Sequence, residues 1–279
     1  LPFKGSWPFA LNISYITLTN GTAPPGDSGG LIFMAMETDK TTWEHYNYRT
    51  TFNQVHFHGG KGFHGGCLSI HNRLVDVFNC TFTSCQATHS GGAIAFSGST
   101  SVTLSHTLFK SNAATFNDDY CKSEKFHGEI VGGGAIAGQA AIFQSANKLK
   151  LQCPPEGTIT MTPQIFLMEN VVFQDSVSTC GKGGSLYLTQ GLLTIQKSEF
   201  HSSSANSGGA IYLSKCTATI IDTSFHKNQA LELSGGALEM LGTDASIYSC
   251  DYIDNSAHSD GGAVFMVFGE LILQNSNIM

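Results

Sequence analysis

Hydrophobic residues in this chain recur in two interleaved series, not in helical stripes. A Gly-Gly pair stands at 29–30, 65–66, 91–92, 133–134, 183–184, 208–209, 235–236 and 261–262. Between successive pairs lies one bulky residue: Leu18, Phe57, Phe82, Phe109, Phe173, Phe200, Phe225, Tyr252 and Ile278. From the second Gly to the next bulky residue the distance is 16 residues in five repeats and 17 in a sixth. One uninterrupted repeat is 25 to 27 residues long. A period of this length is the signature of a solenoid.

Alternation within the repeat predicts its conformation. After each Gly pair, every second residue is apolar, as in Ile94 and Phe96, Ile211 and Leu213, and Leu238 and Met240. Ahead of the bulky residue the same alternation returns, as in Val75 and Val77, Val102 and Leu104, and Leu193 and Ile195. Period-2 runs of this kind are strands. Two places before the bulky residue the position is usually small: Cys80, Thr107, Ser198, Thr223, Cys250 and Ser276. A small residue there fits an inward site with little room. No segment offers an amphipathic helix. Short strands one long period apart pair in the same direction, and only stacked repeats bury a continuous core. The expectation is an all-β, right-handed parallel β-helix of about eight coils, spanning 1–279 as one domain and forming part of a longer chain. At about 4.8 Å per coil the rod is roughly 40 Å long. Insertions interrupt the period near 35–50, 114–131 and 139–162. The fixed Leu ladder of leucine-rich repeats is missing, and propeller blades need longer repeats.

Composition narrows the functional classes. Only 13% of residues are charged and 41% are hydrophobic, which is the reverse of a disordered chain. The net charge of −7, with no basic cluster, argues against a nucleic-acid partner. No apolar run reaches the ~18–20 residues of a membrane span. The sequence opens on Leu1 instead of Met, as a mature form or a fragment does. Eight Cys suit an oxidising compartment. Cys121 and Cys153 lie in neighbouring insertions and are the disulfide candidate. Cys80 and Cys250 occupy the small inward site and read as buried free thiols. Sequons at Asn12, Asn20 and Asn79 fall at places expected to face outward, and these are the glycosylation candidates.

The repeat carries two motifs. GGAI stands at 91–94, 133–136 and 208–211, GGAL at 235–238 and GGAV at 261–264. With them come FKSN at 109–112, FHKN at 225–228 and the near match YIDN at 252–255. This pairing of GGA[ILV] with FxxN resembles the repeat of the chlamydial polymorphic outer membrane proteins and of some protist surface proteins. The resemblance covers nearly the whole chain outside the insertions. It implies a β-helical passenger displayed on a surface and adhering to cells. In several coils the second motif departs from the pattern, as in FTSC at 82–85 and FHSS at 200–203.

Candidate chemistry is sparse. Many β-helices act on polysaccharides through several Asp, at times with Arg. Here Asp118 and Asp119 sit in an insertion, while Glu199 and Asp251 share one repeat position two coils apart, about 10 Å. Solvated surface acids are the simpler account. His56, His58, His64 and His71 cluster in sequence, and the first two share a strand face. That pattern is open to a metal ion or to a polar surface; the surface reading is adopted, and no metal or cofactor is expected. Asn112, Asn228 and Asn255, three places after the bulky residue, read as inward turn residues bonding the backbone of the next coil. Phe33, Tyr187, Tyr212 and Phe265 occupy an outward place flanked by inward ones, and Trp43, Tyr46, Tyr48 and Arg49 lie in the first insertion. These aromatics form either a contact stripe or a surface that the insertions cover.

The expected function is an extracellular or cell-surface structural or adhesive β-helix without catalysis, as in a fibre or surface layer. The alternative is a β-helical polysaccharide lyase or glycoside hydrolase. Expected partners are further coils or other copies stacked end to end, and cell-surface or carbohydrate ligands. The last strand, Leu271 to Leu273 with Ile278, has no polar closing element, and a bare solenoid end templates another coil.

Overall fold

The computed structural model describes residues 11–34, 49–71, 74–97, 101–115, 132–139 and 164–279. Every regular element among them is a strand. Four sheets run along the molecule, two of nine strands, one of eight and one of seven. One coil contributes to each in turn, as in Gly191–Gln196, Glu199–His201, Ser204–Ser207 and Ile211–Ser214, and the sheets are called A to D in that order. Neighbouring coils pair parallel and in register. Seven coils carry all four strands, with partial coils at either end. The chain is a parallel β-solenoid.

The two alternating runs of the sequence are sheets D and A. Sheet B holds the bulky residue in strands as short as three residues, and sheet C shrinks to pairs such as Gln229–Ala230. Neither is long enough to show alternation. The first insertion is slightly shorter than its spacing suggests, because Arg49–Asn53 already pairs as a strand of sheet A.

In-register stacking places each bulky residue over its counterpart. From Phe57 through Phe82, Phe109, Phe173, Phe200 and Phe225 to Tyr252, consecutive ring centroids lie 4.4 to 4.9 Å apart and within 10° of parallel. All seven rings are fully buried. Tyr252 continues the column although its buried hydroxyl finds no hydrogen-bond partner, so shape outweighs polarity at this position.

Where the inward site before the bulky residue is not Val or Ile, it is small for space and polar for bonding. Ser198 Oγ donates to the Gln196 carbonyl at 2.8 Å and accepts from the Val171 amide of the preceding coil at 3.2 Å. Cys80 does the same with Phe78 O and Val55 N through its sulfur. Cys80 and Cys250 are buried free thiols, as expected, and Cys216 is a third.

The Asn column also turns inward, but it bonds the preceding coil, not the following one. Asn112 Oδ1 accepts from the Cys85 amide at 3.0 Å while its Nδ2 donates to the Phe82 carbonyl at 2.9 Å. Asn228 repeats this on Ser203 and Phe200, both at 3.0 Å. In two repeats where FxxN fails, another pair closes the gap. Cys85 forms a disulfide with Cys67, which follows a Gly pair. Ser203 Oγ meets Ser185 Oγ, at the same two repeat positions, at 2.7 Å. Three repeats hold Ala with Asn at these positions, as in Ala210 and Asn228, and one holds Ala135 with Ser176, whose buried hydroxyl has no hydrogen-bond partner among the described residues.

Corners between the sheets are tight left-handed turns. Gly91 has φ 64°, and a side chain on Gly92 would strike the Gly134 carbonyl of the next coil, so the two glycines answer different demands. The corners on either side of sheet B reach the same region without glycine, as at Asn79, Lys197 and Asp222 before it and Asn20, Ser202 and Asp254 after it. Their strain, of order 1–2 kcal/mol for an L residue, is offset by amide bonds to the next coil. Lys197 N, for example, bonds Ile221 O at 3.1 Å.

Two outcomes follow from the columns. Asn228→Ala leaves the Ser203 amide and the Phe200 carbonyl unpaired in the interior; a loss of about 2 kcal/mol or more is expected in urea unfolding. Ser185→Cys with Ser203→Cys should oxidise to a bridge equivalent to Cys67–Cys85, seen as two fewer free thiols under denaturing conditions. It should raise stability by about 3 kcal/mol for a loop of this length.

Candidate binding face

The glycine corner between sheets C and D folds two outward rows toward each other. On sheet D the register runs Phe33, Ser69, Ala95, Ala137, Tyr187, Tyr212, Glu239 and Phe265. The facing row at the end of sheet C includes His64, Ser90, Lys182 and Ser207. Contacts across the corner are diagonal, from one coil to the next. Gly132 lies against the Tyr187 ring, where even a Cβ would not fit. Lys182 Nζ donates to Tyr212 Oη at 3.1 Å and sits 4.4 Å from that ring's centre. Ser207 Oγ donates to Glu239 Oε2. Burial raises the Glu239 carboxyl above its ordinary range, opposed by the Ser207 hydroxyl and by Lys182. The result is a Lys, a Ser, a Glu and two tyrosines gathered on three consecutive coils.

Tyr187 and Tyr212 stack as their positions predict, 5.5 Å apart and 4° from parallel, yet they are only 7% and 3% exposed. These two residues are therefore buried positions of the aromatic row, not exposed ones. Burial also raises the Tyr187 phenol above its usual range. Ser69, Ala95 and Ala137 interrupt the row and are buried too. Phe33 is 55% exposed, with its ring 5.3 Å from that of His71, and Phe265 is half-buried. Trp43, Tyr46, Tyr48, Cys121 and Cys153 lie outside the described residues, as do Asp118 and Asp119. Cys180, unassigned by sequence, is disulfide-bonded. Asn12, Asn20 and Asn79 are all exposed.

The carboxylates of sheet B stand on an outer face, with Ser224 between Glu199 and Asp251 in the same row. Glu199 Oε2 accepts from His201 Nε2 at 2.8 Å, and Asp251 Oδ1 accepts from Asn277 Nδ2 at 2.7 Å. On the same outer face, two places after Glu199 and Ser224, His201 and His226 stack with ring centres 5.2 Å apart.

The histidines near the C–D corner are unlike those of sheet B. His64 and His89 are buried, their rings 4.8 Å apart, and Phe63 packs against both. His64 Nδ1 bonds Ser90 Oγ at 2.7 Å, and His71 Nδ1 bonds Ser97 Oγ. Burial pulls the His64 imidazole down to about 3, with smaller pushes from His89 and His71, and pulls His71 down to about 4. The sequence marks His64 and His71 but not His89, because sheet C lacks a readable period.

Among the described residues no helix is long and apolar enough to cross a membrane, and no group of three or more His, Cys, Asp or Glu is arranged to hold a metal ion. In comparisons with known protein families and with curated proteins, the chain matches none.

Acid sensitivity should follow from the buried imidazoles. Both folded-state values lie below the 6.5 of the unfolded chain. Between those limits the unfolded state binds more protons, so stability is complete above about pH 6.5 and falls as pH drops toward 4. Urea midpoints measured from pH 7 to pH 4 should decline by the equivalent of a few kcal/mol at most. The decline should be shallower in His64→Gln.

Proposed function

We propose that this protein is an extracellular structural or adhesive β-helix, a component of a fibre or surface layer related to the GGA[ILV]/FxxN surface proteins. The observation that carries this reading is the parallel stacking of seven full coils over one continuous core. At the C-terminal coil Leu271, Ile272 and Leu273 are 37–39% exposed and Ile278 is 57% exposed. Residues in the same columns one coil earlier, such as Ala245 and Ile247, are buried. The strand edges of Val264–Val267 and Leu271–Gln274 each pair on one side only. Such an edge is a template for another strand in the same register. In the proposed assembly another copy stacks end to end on this edge.

Secretion is supported by the disulfides and by the exposure of all three sequon asparagines. The Lys182, Tyr212 and Glu239 cluster supports a second reading, as a polysaccharide lyase or hydrolase, because it sets a raised carboxyl beside a cation.

Sedimentation and negative-stain imaging test the first reading. Rods longer than one molecule, or growing with concentration, are expected, and Leu273→Lys should leave single particles of unchanged strand content. Monomers at every concentration, with rapid amide exchange across residues 271–279, would overturn it. Intact-mass analysis after expression in a eukaryotic host should show glycan on at least one of Asn12, Asn20 and Asn79. Depolymerisation of a polysaccharide that is lost in Glu239→Gln would favour the enzyme instead.

A further inference from the structure

Two histidines on the outer face of sheet B stand apart from the rest. His56 and His58 occupy one three-residue strand, both exposed, with the buried Phe57 between them. Each ring is held by a threonine of the next coil at the same offset. His56 Nδ1 lies 2.7 Å from Thr81 Oγ1, and His58 Nδ1 lies 2.9 Å from Thr83 Oγ1. On the preceding coil the matching places are Thr17 and Thr19, so small side chains flank both rings.

The threonine fixes the His58 tautomer. Thr83 Oγ1 donates its only hydrogen to the Phe57 carbonyl at 3.3 Å. It can therefore only accept from the imidazole, and His58 Nδ1 carries the proton. In the neutral ring this leaves Nε2 as an unprotonated lone pair at the exposed end of the side chain. A hydroxyl or carbonyl that receives the distal N–H is the usual outer partner of a metal-ligating histidine; it orients the ring and increases its basicity.

We propose that His56 and His58 form a two-histidine site for a divalent transition-metal ion, with Zn2+ as the reference ion. The strand places the two residues on one face about 6.6 Å apart along the backbone. A shared ion with bonds of about 2.0–2.1 Å requires the Nε2 atoms to close to roughly 3.3 Å, which the rings can approach only by pivoting about their threonine-bonded Nδ1 atoms. The open positions are filled by water or by a donor from another molecule, which gives the solenoid a metal-dependent contact on its side. His201 and His226 do not offer the same arrangement, because Glu199 occupies His201 Nε2.

The test is calorimetric titration of the whole chain with ZnCl2, supported by imidazole nitrogen shifts in NMR. Expected are one ion per chain, loss of that binding in His56→Gln with His58→Gln, and an affinity about tenfold lower in Thr83→Val, which keeps both ligands but removes the orienting bond. His201→Gln with His226→Gln should leave the isotherm unchanged. Circular dichroism checks that each variant keeps its strand content, and the shift of His58 Nε2 in the unaltered protein gives a reading independent of any variant. Absence of saturable binding, or binding that survives loss of both His56 and His58, would overturn the proposal.

Discussion

Parallel, in-register stacking is the constraint on which everything else in this molecule depends. Once a residue of one coil lies over its equivalent in the next, side chains pack mainly against their own kind. A planar ring tolerates this well: stacked 4.4 to 4.9 Å apart, it fills the strand spacing without a void. A buried amide tolerates it when its two ends satisfy backbone groups of the coil beneath, as Asn112 and Asn228 do. A charge would not, because each copy would repel the next across the same distance. The interior columns are accordingly Phe, Leu, Ile, Val, Asn and small hydroxyl or thiol residues, and the acids are left outside or at the rim.

The same constraint explains where the repeat is allowed to fail. Cys67 with Cys85 and Ser185 with Ser203 depart from Ala with Asn at two positions together, whereas Ser176 departs alone beside Ala135 and leaves its buried hydroxyl without a partner among the described residues. Losing Asn alone would leave a gap and an unpaired amide. Replacing both partners closes the gap by a covalent bond or a hydroxyl pair, and the next coil's Asn still caps the amide of the replaced residue, as Asn112 caps Cys85. The degenerate motifs are thus local substitutions within one packing rule.

What could be read from the sequence follows from how each feature is encoded. The coil period, the inward residues of sheets A and D, the aromatic column and the buried Cys80 and Cys250 were legible because each is marked by one residue type at a fixed interval. Sheet C was not, since pairs such as Gln229–Ala230 carry no alternation. The Cys67–Cys85 bridge and the Lys182–Tyr212 contact were not either. Each joins positions that meet only after the chain has turned corners, several of them built from Asn, Ser, Lys and Asp, which are ordinary surface residues in a linear reading. The burial of Tyr187 and Tyr212 was open for a different reason: alternation shows which way a side chain leaves its own sheet, not whether another part of the chain lies over it.

Charge is spread unevenly over this stack. Residues 217–279 contain eight of the 21 Asp and Glu residues but only one of the 14 Lys and Arg. The net charge of −7 for the whole chain therefore belongs to these last coils, and the preceding 216 residues sum to zero. Parallel stacking brings acids of successive coils near one another, as Asp244, Asp251 and Asp254 follow Asp222 along the chain. Such repulsion is tolerable on outer faces, where water and salt screen it, and would not be in the interior columns.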